Sequence, residues 1–227
     1  MKKIIGIGNA LVDVLAKLQD DELLEVKLTD GNSKVLIAVK SGKLVRFDEA
    51  KTRPMGRTAS GVRGITLAHD KDEVIGMVAV NDMSSEILVV SENGYGKRSS
   101  LDEYRETNRG GKGVKTMNIT DKTGLLVSLN SVTDNDDLMI INKSGLTIRM
   151  RVSDLRVMGR ATQGVRLINI KGNDSIAAVA KVMREDEEEI DSDVVVLVEG
   201  EEGDVSIVSE NLNDEEELND EEQNSEE

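Results

Sequence analysis

Three 24-residue segments of this sequence align with one another without a gap, and they begin 52 and 51 residues apart. Each copy starts with glycine, and a Gly-Val pair begins nineteen residues later. The copies are GKLVRFDEAKTRPMGRTASGVRGI (42–65), GYGKRSSLDEYRETNRGGKGVKTM (94–117) and GLTIRMRVSDLRVMGRATQGVRLI (145–168). A repeat at a fixed period predicts one supersecondary unit used several times, and this constrains the fold more than any single motif.

Each copy follows a short, β-branched apolar run that ends in a turn pair such as Ser41-Gly42 or Asn93-Gly94. The runs are VLIAV (35–39), ILVV (87–90) and LMII (138–141). This order is typical of strand, tight turn and strand. Further runs, such as VIGMVAV (74–80), add strands to each unit. The sequence therefore predicts an all-β fold, a partial propeller of about three four-stranded blades.

The net charge of −15 combines two segments of opposite sign. Residues 185–227 hold 21 acids and no bases, which leaves 29 bases against 23 acids for residues 1–184. A mildly basic body therefore precedes a strongly acidic C-terminal tail, most of which lacks the apolar content to fold alone and is predicted to be disordered. The tail either competes with polyanions for the body or serves solubility alone.

Composition excludes several kinds of functional site. The chain has no cysteine, one histidine and three aromatic residues, Phe47, Tyr95 and Tyr104. It therefore has no thiolate metal site or disulfide, little basis for a histidine-based site, and no stacking platform for single strands. No cofactor and no metal are expected. No apolar stretch approaches a membrane span, and the predicted location is cytoplasmic.

Basic residues repeat along with the glycines, at three equivalent positions. The first position holds Arg46, Arg98 and Arg149, the second holds Arg57, Arg109 and Arg160, and the third holds Arg63, Lys115 and Arg166. Lys112 lies between two of these positions. Equivalent positions on stacked blades lie along one edge, so these bases predict a stripe of positive charge. Flanking glycines and serines allow close contact with phosphates.

The segments RPMGRTASGVRGI (53–65), NGYGKR (93–98) and VMGRATQGVRLI (157–168) carry a family resemblance. From about residue 26 to residue 183 the chain resembles the C-terminal DNA-wrapping domain of the bacterial DNA gyrase A protein. The topoisomerase IV paralogue is the nearest alternative. Residues 107–113, TNRGGKG, keep the second half of that family's hallmark box and lack its leading Gln-Arg.

The resemblance implies a β-pinwheel that binds and bends duplex DNA without much reading of sequence. It implies no catalytic residue, and the ten bases named above are the expected DNA contacts. The whole enzyme would be an ATP-dependent type II topoisomerase that changes DNA supercoiling, and its other parts would be the rest of gyrase A together with gyrase B. The family generally has six blades against three here, and the domain with the nucleophilic tyrosine is missing, so the chain alone is expected not to be an enzyme.

Residues 1–24 lack the repeat register and resemble the start of a ribokinase-like (PfkB family) carbohydrate kinase, with Asn9 and Asp13 at the matching positions. The predicted organisation is thus a foreign N-terminal segment (1–24), a three-repeat DNA-binding domain (25–184) and an acidic tail (185–227). Two other functions stay open: a protein-interaction propeller for an acidic partner, and a non-functional fusion product. Open blade edges also predict self-association.

Overall fold

The computed structural model describes residues 25–56, 61–170, 172 and 174–184. The kinase-like segment 1–24 and the acidic tail 185–227 lie outside these ranges, so the predictions for both stay predictions. Within the described residues, regular structure consists of β-strands and three single-turn 3₁₀ helices, which confirms the all-β class.

The described residues form eleven strands. They are β1 (Lys34–Val39), β2 (Lys43–Asp48), β3 (Val74–Val80), β4 (Glu86–Ser91), β5 (Tyr95–Ser100), β6 (Val114–Lys115), β7 (Leu126–Val132), β8 (Asp136–Asn142), β9 (Thr147–Arg151), β10 (Val165–Arg166) and β11 (Ile176–Met183). The 3₁₀ helices Glu49–Lys51, Leu101–Glu103 and Val152–Asp154 each follow the second strand of a hairpin. The first repeat runs from β1 to β3, the second from β4 to β7, and the third from β8 to β11.

Successive repeats exchange a strand. The first sheet has the order β3-β1-β2-β6, and the second has the order β10-β5-β4-β7. The outer strand β6 belongs to the second repeat, and β10 belongs to the third. Each of these antiparallel additions is two residues long, with Leu44 opposite Val114 and Gly96 opposite Val165. The outer strand of each of the first two blades is therefore supplied by the next repeat.

The central hairpins form where the sequence predicts them. Gly42, Gly94 and Gly145 have φ angles of 81°, 77° and 88°, which glycine adopts without a steric penalty. In β4, Ile87 and Val89 belong to a cluster shared with the first repeat, whereas Leu88 and Val90 belong to one shared with the third. Side chains alternate between the faces of a strand, so a strand buried on both faces has a continuous apolar run. Neighbouring repeats therefore complete each other's cores.

The third sheet has three strands, in the order β11-β8-β9, within the described residues. The sequence predicts about four strands in every blade, and the structure corrects that number here. The fourth strand of the first two sheets comes from the following repeat, and no described repeat follows the third. The outer strand β9 is accordingly paired on one side by β8.

Candidate nucleic-acid interface

The first repeated base position is largely inside the protein. Arg46 and Arg98 are both 7% exposed. Arg46 Nη1 donates to the carbonyls of Leu101 at 2.9 Å and Tyr104 at 3.1 Å, both in the next repeat. Arg98 Nε donates to the carbonyl of Leu155, again one repeat further on. These arginines join successive blades, so neither belongs to the surface that we propose for DNA.

Two ion pairs also hold the side chain of Arg98 in place. Its Nη1 lies 2.9 Å from Glu86 Oε2 and bonds Asp134 as well. The equivalent Arg149 is different: its side chain is 52% exposed, and its Nε lies 2.8 Å from Asp137 Oδ2 of its own hairpin. The contrast arises because the described part of the chain offers Arg149 no following repeat to cover it.

The second and third base positions come together where successive repeats meet. Arg109 Nη1 donates to the carbonyl of Arg63 at 2.9 Å, and Arg160 Nη1 donates to the carbonyl of Lys115 at 2.8 Å. The second-position arginine of one repeat is thereby tied to the third-position base of the repeat before it. The same tie at both junctions shows that the arrangement follows from the repeat.

These ties bring cations of neighbouring repeats together at each of the two junctions. We call this set of cations the basic strip. Its members are exposed or half-buried. They are Arg63, Arg109, Lys112, Lys115, Arg160 and Arg166. Arg57 lies outside the described residues, so its predicted place in the strip stays a prediction.

Two glycines hold the strip close to the sheets. Gly113 and Gly164 have φ angles of 71° and 78° and directly precede β6 and β10. A Cβ atom would lie 2.6 Å from the carbonyl oxygen of Leu44 at Gly113, and 2.5 Å from that of Gly96 at Gly164. Real Cβ atoms do not approach so closely, so glycine is required for the exchanged strand to reach its partner. Each exchanged strand ends in a strip residue, Lys115 or Arg166.

The charges of the strip are not neutralised within the described residues. None of the six cations forms an ion pair there with a described carboxylate. Their side-chain hydrogen bonds go to neutral acceptors, such as Lys115 Nζ to Asn118 Oδ1 at 3.3 Å. Cations held by neutral groups keep their full charge for an anionic ligand.

Tyr95 adds a feature that the sequence predictions do not include. Its hydroxyl accepts from Arg166 Nη2 at 2.8 Å, and Lys122 Nζ lies 5.4 Å from its ring centroid. Hydrogen bonding from Arg166 lowers the pKa of the Tyr95 hydroxyl. Arg166 reaches Tyr95 because β10, which ends in Arg166, pairs with β5 at this position, and sequence reasoning did not predict that pairing.

Lys97 is a second feature that sequence reasoning missed. It is 1% exposed, although the other two repeats have Val45 and Ile148 at this position. Its Nζ donates to the Gly159 carbonyl at 2.6 Å, while Glu103 Oε2 accepts from the Arg160 backbone N–H at 2.6 Å. Two charged side chains of the second repeat thus hold both ends of one peptide group beside the strip. Burial lowers the pKa of Lys97 to about 8.

The buried first-position arginines give a stability prediction. We expect Arg98→Met to lower the free energy of unfolding by about 3 kcal/mol, because it leaves Glu86 and the Leu155 carbonyl without their partner. Arg105→Met is the matched control, since Arg105 is an exposed arginine of the same repeat. It should change stability by less than about 0.5 kcal/mol. Urea unfolding measures both, and equal losses would contradict the assignment of Arg98 to the blade junction.

A family model described as the DNA gyrase C-terminal domain, beta-propeller, matches residues 33–81, 85–133 and 136–183. The chain belongs to this family. The three matched stretches coincide with the three repeats and together cover more than half of the chain. The predicted relationship to the gyrase A C-terminal domain and the propeller architecture are both confirmed.

Curated relatives agree with the family model. The chain is 48% identical over 176 residues to the DNA gyrase A protein of Staphylococcus aureus (strain NCTC 8325 / PS 47), a match that covers 77% of this chain and 20% of that protein. Strain MRSA252 has a relative that is 47% identical over 186 residues, covering 81% and 21%. The chain therefore spans about one fifth of the length of these relatives.

Solved structures show the same fold. The structure of a DNA gyrase A C-terminal domain matches with a TM-score of 0.63 and 26% identity, over 68% of this chain and 52% of that one. The crystal structure of a DNA topoisomerase IV C-terminal domain matches with a TM-score of 0.69 and 23% identity, over 74% and 52%. Both solved domains extend well beyond the part that this chain matches.

Two features are absent from the described ranges. No helix there has the length and apolar character that crossing a bilayer requires. No group of three or more histidine, aspartate or glutamate side chains there is placed to hold a metal ion. The predicted cytoplasmic location stays a prediction.

Proposed function

We propose that residues 25–184 bind duplex DNA through the basic strip, by contacts to phosphates and with little reading of base sequence. The observation that carries this proposal is the pair of ties from Arg109 to Arg63 and from Arg160 to Lys115. They bring cations of three repeats together at two junctions, and none of these cations forms an ion pair with a described carboxylate. A set of unpaired cations matches an array of phosphates.

Family membership supports the same proposal at a coarser level, because the matched family is that of the gyrase A C-terminal domain. We propose that this chain supplies the DNA-binding part of a type II topoisomerase. In the full enzyme its protein partners would be the remainder of gyrase A together with gyrase B. By itself it would bind DNA and catalyse neither DNA cleavage nor phosphoryl transfer.

The salt dependence of binding tests the proposal. If about five of the six strip cations contact phosphates, log K should fall against log salt concentration with a slope of about −4 to −5. Fluorescence anisotropy with duplexes of several unrelated sequences, at a series of salt concentrations, measures the slope. A flat dependence, or strong preference for one sequence, contradicts the proposal.

The same assay addresses the acidic-partner alternative. An acidic protein without the regular phosphate spacing should bind more weakly than the duplex at equal salt. Tighter binding to that protein would favour the protein-interaction function. A cooperative thermal transition of the chain would argue against the non-functional fusion product.

A further inference from the structure

Among the strands that the structure describes, none pairs with the outer edge of β9, whereas β6 and β10 cover the equivalent edges of β2 and β5. In the second sheet, β10 of the next repeat pairs with Tyr95 and Gly96. The third-repeat equivalent of Tyr95 is Leu146, which is 53% exposed, whereas Tyr95 is 7% exposed. Side-chain exposure rises likewise from 9% at Arg98 to 52% at Arg149. An outer strand with exposed backbone is a template for another strand.

The two complete junctions specify what fits this edge. Each uses a glycine with positive φ, then valine and a base, as in Gly113-Val114-Lys115. Each also uses the turn of the next repeat, where Thr107 N donates to the Arg46 carbonyl at 2.8 Å and Met158 N donates to the Arg98 carbonyl at 2.8 Å. The element that fits this edge is therefore the Gly-Val-base segment and the preceding turn of another repeat of this family.

The first repeat of the chain has both parts of this element. Gly61 has a φ of 74°, against 71° for Gly113 and 78° for Gly164, and it precedes Val62 and Arg63. Val62 already forms a single β-bridge in one copy, and pairing with a second copy would have to replace it. The first repeat also has the turn whose carbonyls could accept from Arg149. Thr52 N donates to the Glu49 carbonyl at 2.7 Å, as Tyr104 N donates to the Leu101 carbonyl at 3.1 Å in the second repeat.

We propose that two copies of this chain associate head to tail, with β9 of each receiving the Gly61–Arg63 segment of the other. Arg149 of one copy would donate to the Glu49 and Thr52 carbonyls of its partner, as Arg46 does to Leu101 and Tyr104 within the chain. Two such contacts close a symmetric pair and leave neither edge open. Two copies would also supply about as much of this fold as each of the two solved domains contains, since the match covers 52% of each.

Light scattering coupled to size-exclusion chromatography of the full chain tests the proposal. We expect the mass to approach twice 24.7 kDa at tens of micromolar and to fall to that of one chain on dilution. A single-chain mass throughout a series up to several hundred micromolar overturns the proposal. Masses that keep growing with concentration also overturn it, since they indicate open chains and not a closed pair.

Two variants locate the contact. Gly61→Ala places a Cβ where the equivalent atom at Gly113 would lie 2.6 Å from a carbonyl oxygen, and Arg149→Ala removes the guanidinium from the other side. Each should weaken association at least tenfold while circular dichroism stays unchanged. An equimolar mixture of the two variants should regain pairing, because one intact junction forms between unlike copies. Association that persists in both variants, or no recovery on mixing, assigns the contact elsewhere and overturns the proposal.

Hydrogen exchange separates a second copy from a segment of the same chain. Amides of β9 should gain protection only as concentration rises. Protection of β9 that is independent of concentration, in a chain of single mass, would show an intramolecular strand at this edge and overturn the proposal. DNA enters none of these measurements, so their outcome is independent of the proposed function.

Discussion

Lys97→Met is expected to stabilise this protein at pH 7, by about 2 kcal/mol. Lys97 is buried, and its pKa falls from 10.5 in the unfolded chain to about 8 in the folded one. Each unit of that shift corresponds to about 1.4 kcal/mol, so burying the charged lysine costs about 3 kcal/mol below pH 8. The variant removes this cost but also loses the hydrogen bond to the Gly159 carbonyl, which offsets about 1 kcal/mol of the gain in stability.

The pH dependence has a defined sign. Between pH 8 and pH 10.5 the unfolded state binds more protons at this lysine than the folded state does, so stability of the native chain rises with pH. The variant lacks this contribution. Its advantage over the native chain should therefore shrink across that window, and above pH 10.5 it should be the less stable of the two, by about 1 kcal/mol.

Urea unfolding of both chains at pH 7, 9 and 10.5 measures the difference. Other titrating groups are common to both, so the difference between the two chains reports on Lys97. Val45→Met is the control, since Val45 occupies the same position in the first repeat and carries no charge. A variant that is less stable at pH 7 would show that the Gly159 and Glu103 interactions outweigh the desolvation of the lysine.

The repeat made the blade predictable, because glycines and apolar runs in a fixed register define the hairpins locally. The exchange of strands was not predictable, because β6 and β10 are two residues long and pair with residues of the preceding repeat. A two-residue strand has no periodicity of its own. Its only trace is the Gly-Val-base triplet, which the sequence presents as part of a loop.

The repeat also identified equivalent bases without showing where their side chains go. Arg46 and Arg98 lie in the middle of strands that the next repeat covers, whereas Arg63 and Lys115 lie in or beside the loops of the junctions. A base in the middle of a strand is the signal that separates the two groups. For the strip, the sequence predicted the residues of the second and third positions, and only the fold could supply the ties between them.

Reversing two exposed strip charges is expected to give the largest change in DNA affinity. We predict that Arg63→Glu combined with Lys115→Glu weakens duplex binding about 100-fold at 0.1 M salt. Losing two phosphate contacts accounts for about 60-fold, given a slope of about 0.9 log units per contact relative to 1 M salt. Repulsion of the phosphates by the new carboxylates accounts for the rest. The salt slope should become shallower by about 2.

A second double variant makes the test specific to the strip. Lys27→Glu with Lys181→Glu changes the net charge by the same amount at the opposite edge of the sheets. Lys181 lies on β11, and Lys27 pairs with Glu25, which bonds Met77 of β3. Non-specific attraction between a charged body and DNA would weaken equally in both variants. Phosphate contacts confined to the strip require that only the first variant loses affinity and salt dependence, so equal losses would contradict the proposed surface even if the chain still binds DNA.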